Sequence, residues 1–137
     1  MKRLETDAVR ENLNGVLAFI DSFLEEAECP LKVMYQIDIA AEEIFVNIAS
    51  YAYGPEGGKA VIEIALEEDP KTAVITFRDS GIPYNPLERE DPDITLSAEE
   101  RQIGGLGIYM VKKSMDSVIY DYSDGQNILT IRKVLEG

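Results

Sequence analysis

The period of the apolar residues changes along the chain, and that change constrains the fold more than any other feature. Over residues 5 to 28, Val9, Leu13, Leu17, Ile20, Leu24 and Ala27 recur at spacings of four and three, with Glu and Asp over much of the opposite face. Such spacing predicts one amphipathic helix. LKVMYQIDIAAEEIFVNIASYA, about residues 31 to 52, is apolar on most sides around Ile44 to Ala49 and predicts a second, deeply packed helix. Pro30 suits its first turn and Gly54-Pro55 ends it. From residue 60 the period becomes two. AVIEIAL (60 to 66) and AVITF (73 to 77) alternate and are rich in β-branched residues, with EEDPK as the turn between them. A helix at about 105 to 115 follows a long polar stretch, and SVIYDY-SDGQ-NILTIRKV then reads as a β-hairpin. The order α-α-β-β-loop-α-β-β, with mostly antiparallel strands, predicts an α+β fold: a two-layer α/β sandwich with the helices on one face of the sheet. A length of 137 residues suits one ordinary domain, and residues 1–137 are read as a single one.

Charge and composition exclude several functions. Acidic residues outnumber basic ones 26 to 13, a net −13, so the surface repels nucleic-acid backbones and anionic lipid. The same acidity also serves solubility. The sequence has no histidine, which removes phosphohistidine and histidine acid–base chemistry, and with a single cysteine nearly removes Cys/His zinc sites. Cys29 has no partner for an internal disulfide and fits a reducing cytoplasm. No apolar run approaches the roughly 18 residues of a membrane span, and MKRLETDAVREN lacks the apolar core of a signal peptide.

Three short motifs could carry chemistry. IGGLGIYMVKKSMD puts Gly104, Gly105 and Gly107 immediately before or inside the start of a helix. A helix N-terminus offers unpaired N–H groups and partial positive charge, and bare glycine lets an anion reach them. A tight turn packed on a sheet would explain the same glycines. Met110 stands where a Rossmann fingerprint needs its third glycine, and GPEGGKA lacks both the spacing and the hydroxyl of a P-loop. Glu43 and Asn47 lie four apart in the second helix and so on one face. Asn47 sits among Ile44, Phe45, Val46, Ile48 and Ala49, where an unsatisfied buried amide costs about 1–3 kcal/mol. Its amide oxygen suits Mg²⁺, and Glu43 could take a proton from a nucleophile nearby; a helix with a polar edge accounts for both residues equally. Asp79-Ser80-Gly81 closes a strand. It is either an ordinary turn or an acceptor-only carboxylate that selects a base's exocyclic amine, with Gly81 leaving room for a flat ring.

Taken together, ExxxN on a helix, DxG after a strand, a long loop and GxG opening a helix resemble the Bergerat ATP-binding fold of the GHKL ATPases, the superfamily of gyrase, histidine kinases and MutL. GGLGIYMVKKSMD and Pro83-Tyr84-Asn85-Pro86 after DSGI look like the anti-sigma-factor serine kinases of that superfamily, and the resemblance spans about residues 5 to 135. It implies ATP and Mg²⁺ as cofactors. In it Asn47 matches the Mg²⁺-binding asparagine, Glu43 the general base and Asp79 the aspartate that reads the adenine amine. Gly81 and Ile82 fall beside the base. Gly104, Gly105 and Gly107 fall on the phosphate side, with Leu106 and Ile108 as neighbouring backbone contacts. Residues 87 to 103 would form the ATP lid, where Arg101 could reach a phosphate. The chain departs from the pattern at Tyr51, where many relatives carry histidine, and at Pro83 in place of the second glycine of DxGxG; Tyr53 stands two residues beyond Tyr51, where those relatives carry an aromatic.

The resemblance implies a cytoplasmic ATP-dependent serine/threonine protein kinase that phosphorylates a serine on a STAS-type anti-anti-sigma protein. It further implies a chain that binds a sigma factor and forms a homodimer. Phosphoryl transfer depends chiefly on positioning and charge neutralisation, so one base, one metal and a rigid glycine cradle are enough. Two alternatives share most of the site. A nucleotide-responsive binding module without turnover has no need of Glu43, and a GHKL-type ATPase uses water in place of the serine.

Overall fold

In the computed structural model of the chain, residues 1–88 and 105–135 are described, without the side chains of residues 105 and 106. A five-stranded sheet runs in the order β1-β2-β3-β5-β4, built from β1 (Lys2–Asp7), β2 (Lys59–Glu67), β3 (Thr72–Asp79), β4 (Ser117–Ser123) and β5 (Gln126–Val134). Each neighbouring pair is antiparallel. Helices α1 (Leu13–Glu26), α2 (Leu31–Tyr51) and α3 (Gly105–Ser114) complete the fold.

The chain begins as a strand, not as the helix expected from residue 5. Val9 is extended, a short 3-10 turn covers Arg10–Asn12, and α1 starts only at Leu13. KRLETD has little strand propensity of its own; its ladder with β2, pairing Leu4 with Ile62, decides its conformation. Asn12 then braces the turn, its Nδ2 donating to Thr6 Oγ1 at 3.0 Å and to the Asp7 carbonyl at 3.1 Å. The remaining elements fall within about two residues of the expected bounds.

The alternation of the strands produces the two layers. Ile62, Ile64, Ile75, Phe77, Leu129 and Ile131 point to one face and are buried there. Val16, Ile20 and Leu24 of α1 press on that face, as do Ile37, Phe45 and Ile48 of α2 and Val111 of α3. The opposite face carries polar pairs, among them Arg78 Nε to Glu63 Oε1 at 2.7 Å and Thr76 against Thr130. Asp79 and Asn127 have the same parity as the core residues of β3 and β5, so the sheet delivers two polar side chains to the helix-covered side at one end.

A second polar pair lies between α1 and α2. Asp21 and Asp38 each leave one carboxyl oxygen, Oδ1, buried without a hydrogen-bond partner. Burial first, and then the hydrogen bond and charge of Asp21, push the Asp38 carboxyl up to about 7. Asp38 also acts on Cys29: burial and then the Asp38 charge raise the Cys29 thiol, and Lys71 opposes them. A carboxyl with a raised folded-state value holds its proton longer in the native chain than in the unfolded one. Stability from this group is therefore greatest below about 4 and is lost as pH rises toward about 7. Asp38→Asn should leave the thermal midpoint nearly unchanged at about pH 3 and raise it progressively from about pH 5 to about pH 8, measured by circular dichroism. Parallel pH profiles for the two proteins would contradict the assignment.

Candidate functional site

Three elements meet at the end of the sheet where Asp79 closes β3. Between them lies a cleft, open to solvent, that encloses about 500 Å³ with its mouth included. From α2 it receives Ile44, Asn47 and Ile48, and from β3 it receives Phe77 and Asp79. Ile82 and Ile108 form further apolar wall, and Leu129 and Asn127 close it from β5. Flat apolar walls around one acidic group suit an aromatic heterocycle with an amine on its edge.

Asp79 is held rigidly for that task. It is 6% exposed, and one of its oxygens, Oδ1, accepts from the Gly81 N–H and from Asn127 Nδ2, both at 2.9 Å. Its other oxygen has no partner among the described residues and is the acceptor left for a ligand in the cleft. A carboxylate there only accepts, so it favours a donor such as an exocyclic amine over a carbonyl.

Asn127 is the residue that sequence reasoning missed. It is 7% exposed and uses its whole hydrogen-bonding capacity. Nδ2 donates to Asp79 and, at 2.8 Å, to the Ile82 carbonyl; Oδ1 accepts from the Tyr84 N–H at 3.1 Å and from the Tyr120 hydroxyl. One amide thus fixes the acidic group, the turn after it and the rim of the cleft. Burial pushes the Tyr120 phenol up, which keeps it protonated and donating. The available signal was parity: in QNILTIRKV the polar Asn127 shares the inward face with Leu129 and Ile131.

Gly81 serves a different contact from the one expected. A Cβ there would run into the carbonyl of Ala52 at the end of α2, and the Ile82 N–H donates to that same carbonyl at 3.0 Å. The space beside Gly81 is therefore taken by α2 backbone, and the glycine lets the turn dock on the helix. Tyr53 braces it from the other side, its hydroxyl accepting from the Ser80 N–H at 2.8 Å and donating to the Lys59 carbonyl. Tyr51, one helical turn beyond Asn47, also lines the cleft.

Glu43 and Asn47 lie side by side as their spacing requires, with Asn47 Nδ2 donating to Glu43 Oε1 at 3.3 Å. That bond turns the amide nitrogen toward the carboxylate and leaves the amide oxygen as the atom able to ligate a cation. A hard cation such as Mg²⁺ takes one or two protein oxygens and keeps water and phosphate for the rest, so the donor set fits. Across from this pair α3 begins. A Cβ on Gly107 would meet the Glu43 carboxylate itself, so the bare Cα is what lets α3 and the acidic flank of α2 approach. Gly105 opens α3, Leu106 follows it in the helix, and Ile108 is buried and reaches the cleft. Gly104, Arg101 and residues 89–103 of the expected lid lie outside the described residues; Leu87 and Glu88 belong to a short 3-10 turn, Pro86–Glu88. No group of three or more acidic, cysteine or histidine side chains suited to a metal occurs among the described residues.

Residues 6–133 match the family described as the histidine kinase-like ATPase domain. The chain belongs to this family. The histidine kinase-like ATPase domain here is similar to the serine/threonine-protein kinase BtrW of Bordetella bronchiseptica, at 28% identity over 93% of this chain and 89% of the relative. It is 23% identical to the anti-sigma F factor of Clostridium acetobutylicum, over 92% of this chain and 87% of that one. A solved structure of the RsbU and RsbW domains of a Mycobacterium tuberculosis protein shares the fold, with a TM-score of 0.66 and 16% identity over 98% of this chain. The match spans 33% of that two-domain chain. No helix among the described residues is long and apolar enough to cross a membrane.

Two glycine substitutions separate packing from chemistry. Gly81→Ala forces a methyl against backbone, which cannot swing away, and should cost about 1–3 kcal/mol in urea unfolding. Gly107→Ala meets the mobile end of a side chain and should cost clearly less. Equal losses would contradict this reading of the two contacts.

Proposed function

We infer that this histidine kinase-like ATPase domain is an ATP-dependent serine/threonine protein kinase of the anti-sigma-factor type. The observation that carries this reading is the meeting of Asn47, Asp79 and Ile108 in one cleft, with Glu43 packed against Gly107 at its phosphate-side end. The named activities of the relatives support it, since BtrW is a serine/threonine-protein kinase and aligns over nearly the whole chain.

In this reading the adenine amine donates to the open oxygen of Asp79, and the ring lies between the apolar walls of α2, β3 and β5. The triphosphate runs toward α3, where Gly105, Leu106 and Gly107 present main-chain N–H groups at a positive helix end. Mg²⁺ bound through Asn47 would neutralise charge on the phosphates. Glu43 accepts the proton of a serine hydroxyl as that oxygen bonds to the γ-phosphorus, and the bridging oxygen leaves with ADP. The Asn47 hydrogen bond orients the Glu43 carboxylate for this role. The serine belongs to a STAS-type anti-anti-sigma protein in the cytoplasm. The chain works as a homodimer and sequesters a sigma factor; for these two features the support is the resemblance to anti-sigma factors.

Glu43→Gln should reduce phosphate transfer to a purified STAS-domain acceptor by about 10²-fold or more, the usual contribution of a positioned base, with ATP affinity within about threefold of wild type. Asp79→Asn should do the reverse and weaken ATP binding first. Wild-type transfer by Glu43→Gln would remove the base from the account. Free phosphate released at the same rate with or without acceptor would favour an ATPase instead.

A further inference from the structure

Leu31, Tyr35, Ile39, Glu43 and Asn47 follow one another at intervals of four along α2. Residues four apart are adjacent on a helix surface, so the five form a single ridge. Its last two members are the proposed base and cation ligand. Its first three are large, apolar and turned to solvent, with Leu31 81%, Tyr35 69% and Ile39 45% exposed. Scattered exposed apolar residues need no explanation. Three in line, leading straight to a site residue, form a contiguous patch, and such patches mark interaction surfaces.

We propose that the protein carrying the acceptor serine docks on this ridge, covering Ile39, Tyr35 and Leu31 with an apolar surface beside its serine. The inference rests on the kinase reading above and adds where the protein substrate is held. Distance supports it. At about 1.5 Å of rise per residue, Ile39, Tyr35 and Leu31 lie about 6, 12 and 18 Å along α2 from Glu43. A standard protein interface buries about 800 Å² on each partner, equivalent to a disc of about 16 Å radius. A footprint of that size centred on the Glu43 carboxylate covers Ile39 and Tyr35 and ends just short of Leu31, which lies at its rim. Direction supports it too, because side chains on a helix lean toward its N-terminus, so Glu43 leans toward Ile39.

Chemistry narrows the partner. Leu31, Tyr35 and Ile39 are uncharged, whereas the chain as a whole carries −13. The fitting surface is an apolar patch around the acceptor serine, rimmed by basic groups that meet the acidic kinase. Tyr35, a large amphipathic side chain near the middle of the ridge, is of the type that dominates interface energies. A second copy of this chain seated here would also cover Glu43 and would have to leave before a serine could enter.

The test uses the intact chain, ATP and a purified STAS-domain protein that the wild-type chain phosphorylates. In Tyr35→Ser and in the double variant Leu31→Ser/Tyr35→Ser, the KM for that acceptor should rise at least tenfold. Saturated kcat, ATP affinity and thermal midpoint should stay near wild type, since both positions are exposed and outside the catalytic machinery. An unchanged KM overturns the docking proposal while leaving the kinase reading intact. A fall in sedimentation mass from dimer to monomer in the variants overturns it in favour of a second copy. If the wild-type chain transfers phosphate to no STAS-domain protein, the kinase reading fails and the docking surface with it.

Discussion

The hydrogen bond from Asn127 to Asp79 holds the site together. Both residues are buried at the open end of the sheet, on strands paired in register, and neither would be tolerated there alone. An isolated carboxylate in such a place would take up a proton or force the turn apart, and an isolated amide would leave as many as four bonds unmade. Together they cancel that cost and give the cleft a fixed acceptor. Because the same amide also holds Ile82 and Tyr84, the acidic group, the turn and the rim are positioned as one unit.

The glycines complete the arrangement by removing obstacles. At Gly81 the missing side chain lets a turn dock on the C-terminal end of α2, and at Gly107 it lets α3 close on the Glu43 carboxylate. Each brings one of the separate motifs into contact with α2. That helix is the common wall: its buried flank carries the core, its cleft flank carries Asn47, and its solvent ridge leads away from Glu43. Core, cleft wall and exposed ridge carried by one helix keep a constant mutual geometry, which positioned chemistry requires.

Much of the fold was legible because period and parity are strong signals over long stretches. The change from helical spacing to alternation gave the layers, and α2, α3, β2, β3 and the final hairpin fell near their expected bounds. β1 was hidden because KRLETD has one strongly apolar residue, and its state is set by Ile62 and its neighbours in β2. Val9 then joined the wrong stripe, since four-residue spacing to Leu13 looks helical whether or not the backbone between them is. At the cleft, the shared face of Glu43 and Asn47 on α2 and the place of Asp79 at the end of β3 were readable from spacing. Gly81 was singled out, but its contact with the Ala52 carbonyl depends on tertiary docking that no local pattern encodes. Asn127 escaped because three of its partners, Asp79, Ile82 and Tyr84, lie more than 40 positions earlier in the chain.

The central claim is that the Asn127–Asp79 pair creates the nucleotide acceptor in the cleft. The most direct measurement is calorimetric titration of ATP with Mg²⁺ into wild type and into Asn127→Leu, on samples shown by circular dichroism to be folded. The account predicts at least a tenfold loss of affinity in the variant, about 1.4 kcal/mol, although Asn127 itself need not touch the nucleotide. Equal affinity in the two folded proteins would contradict it.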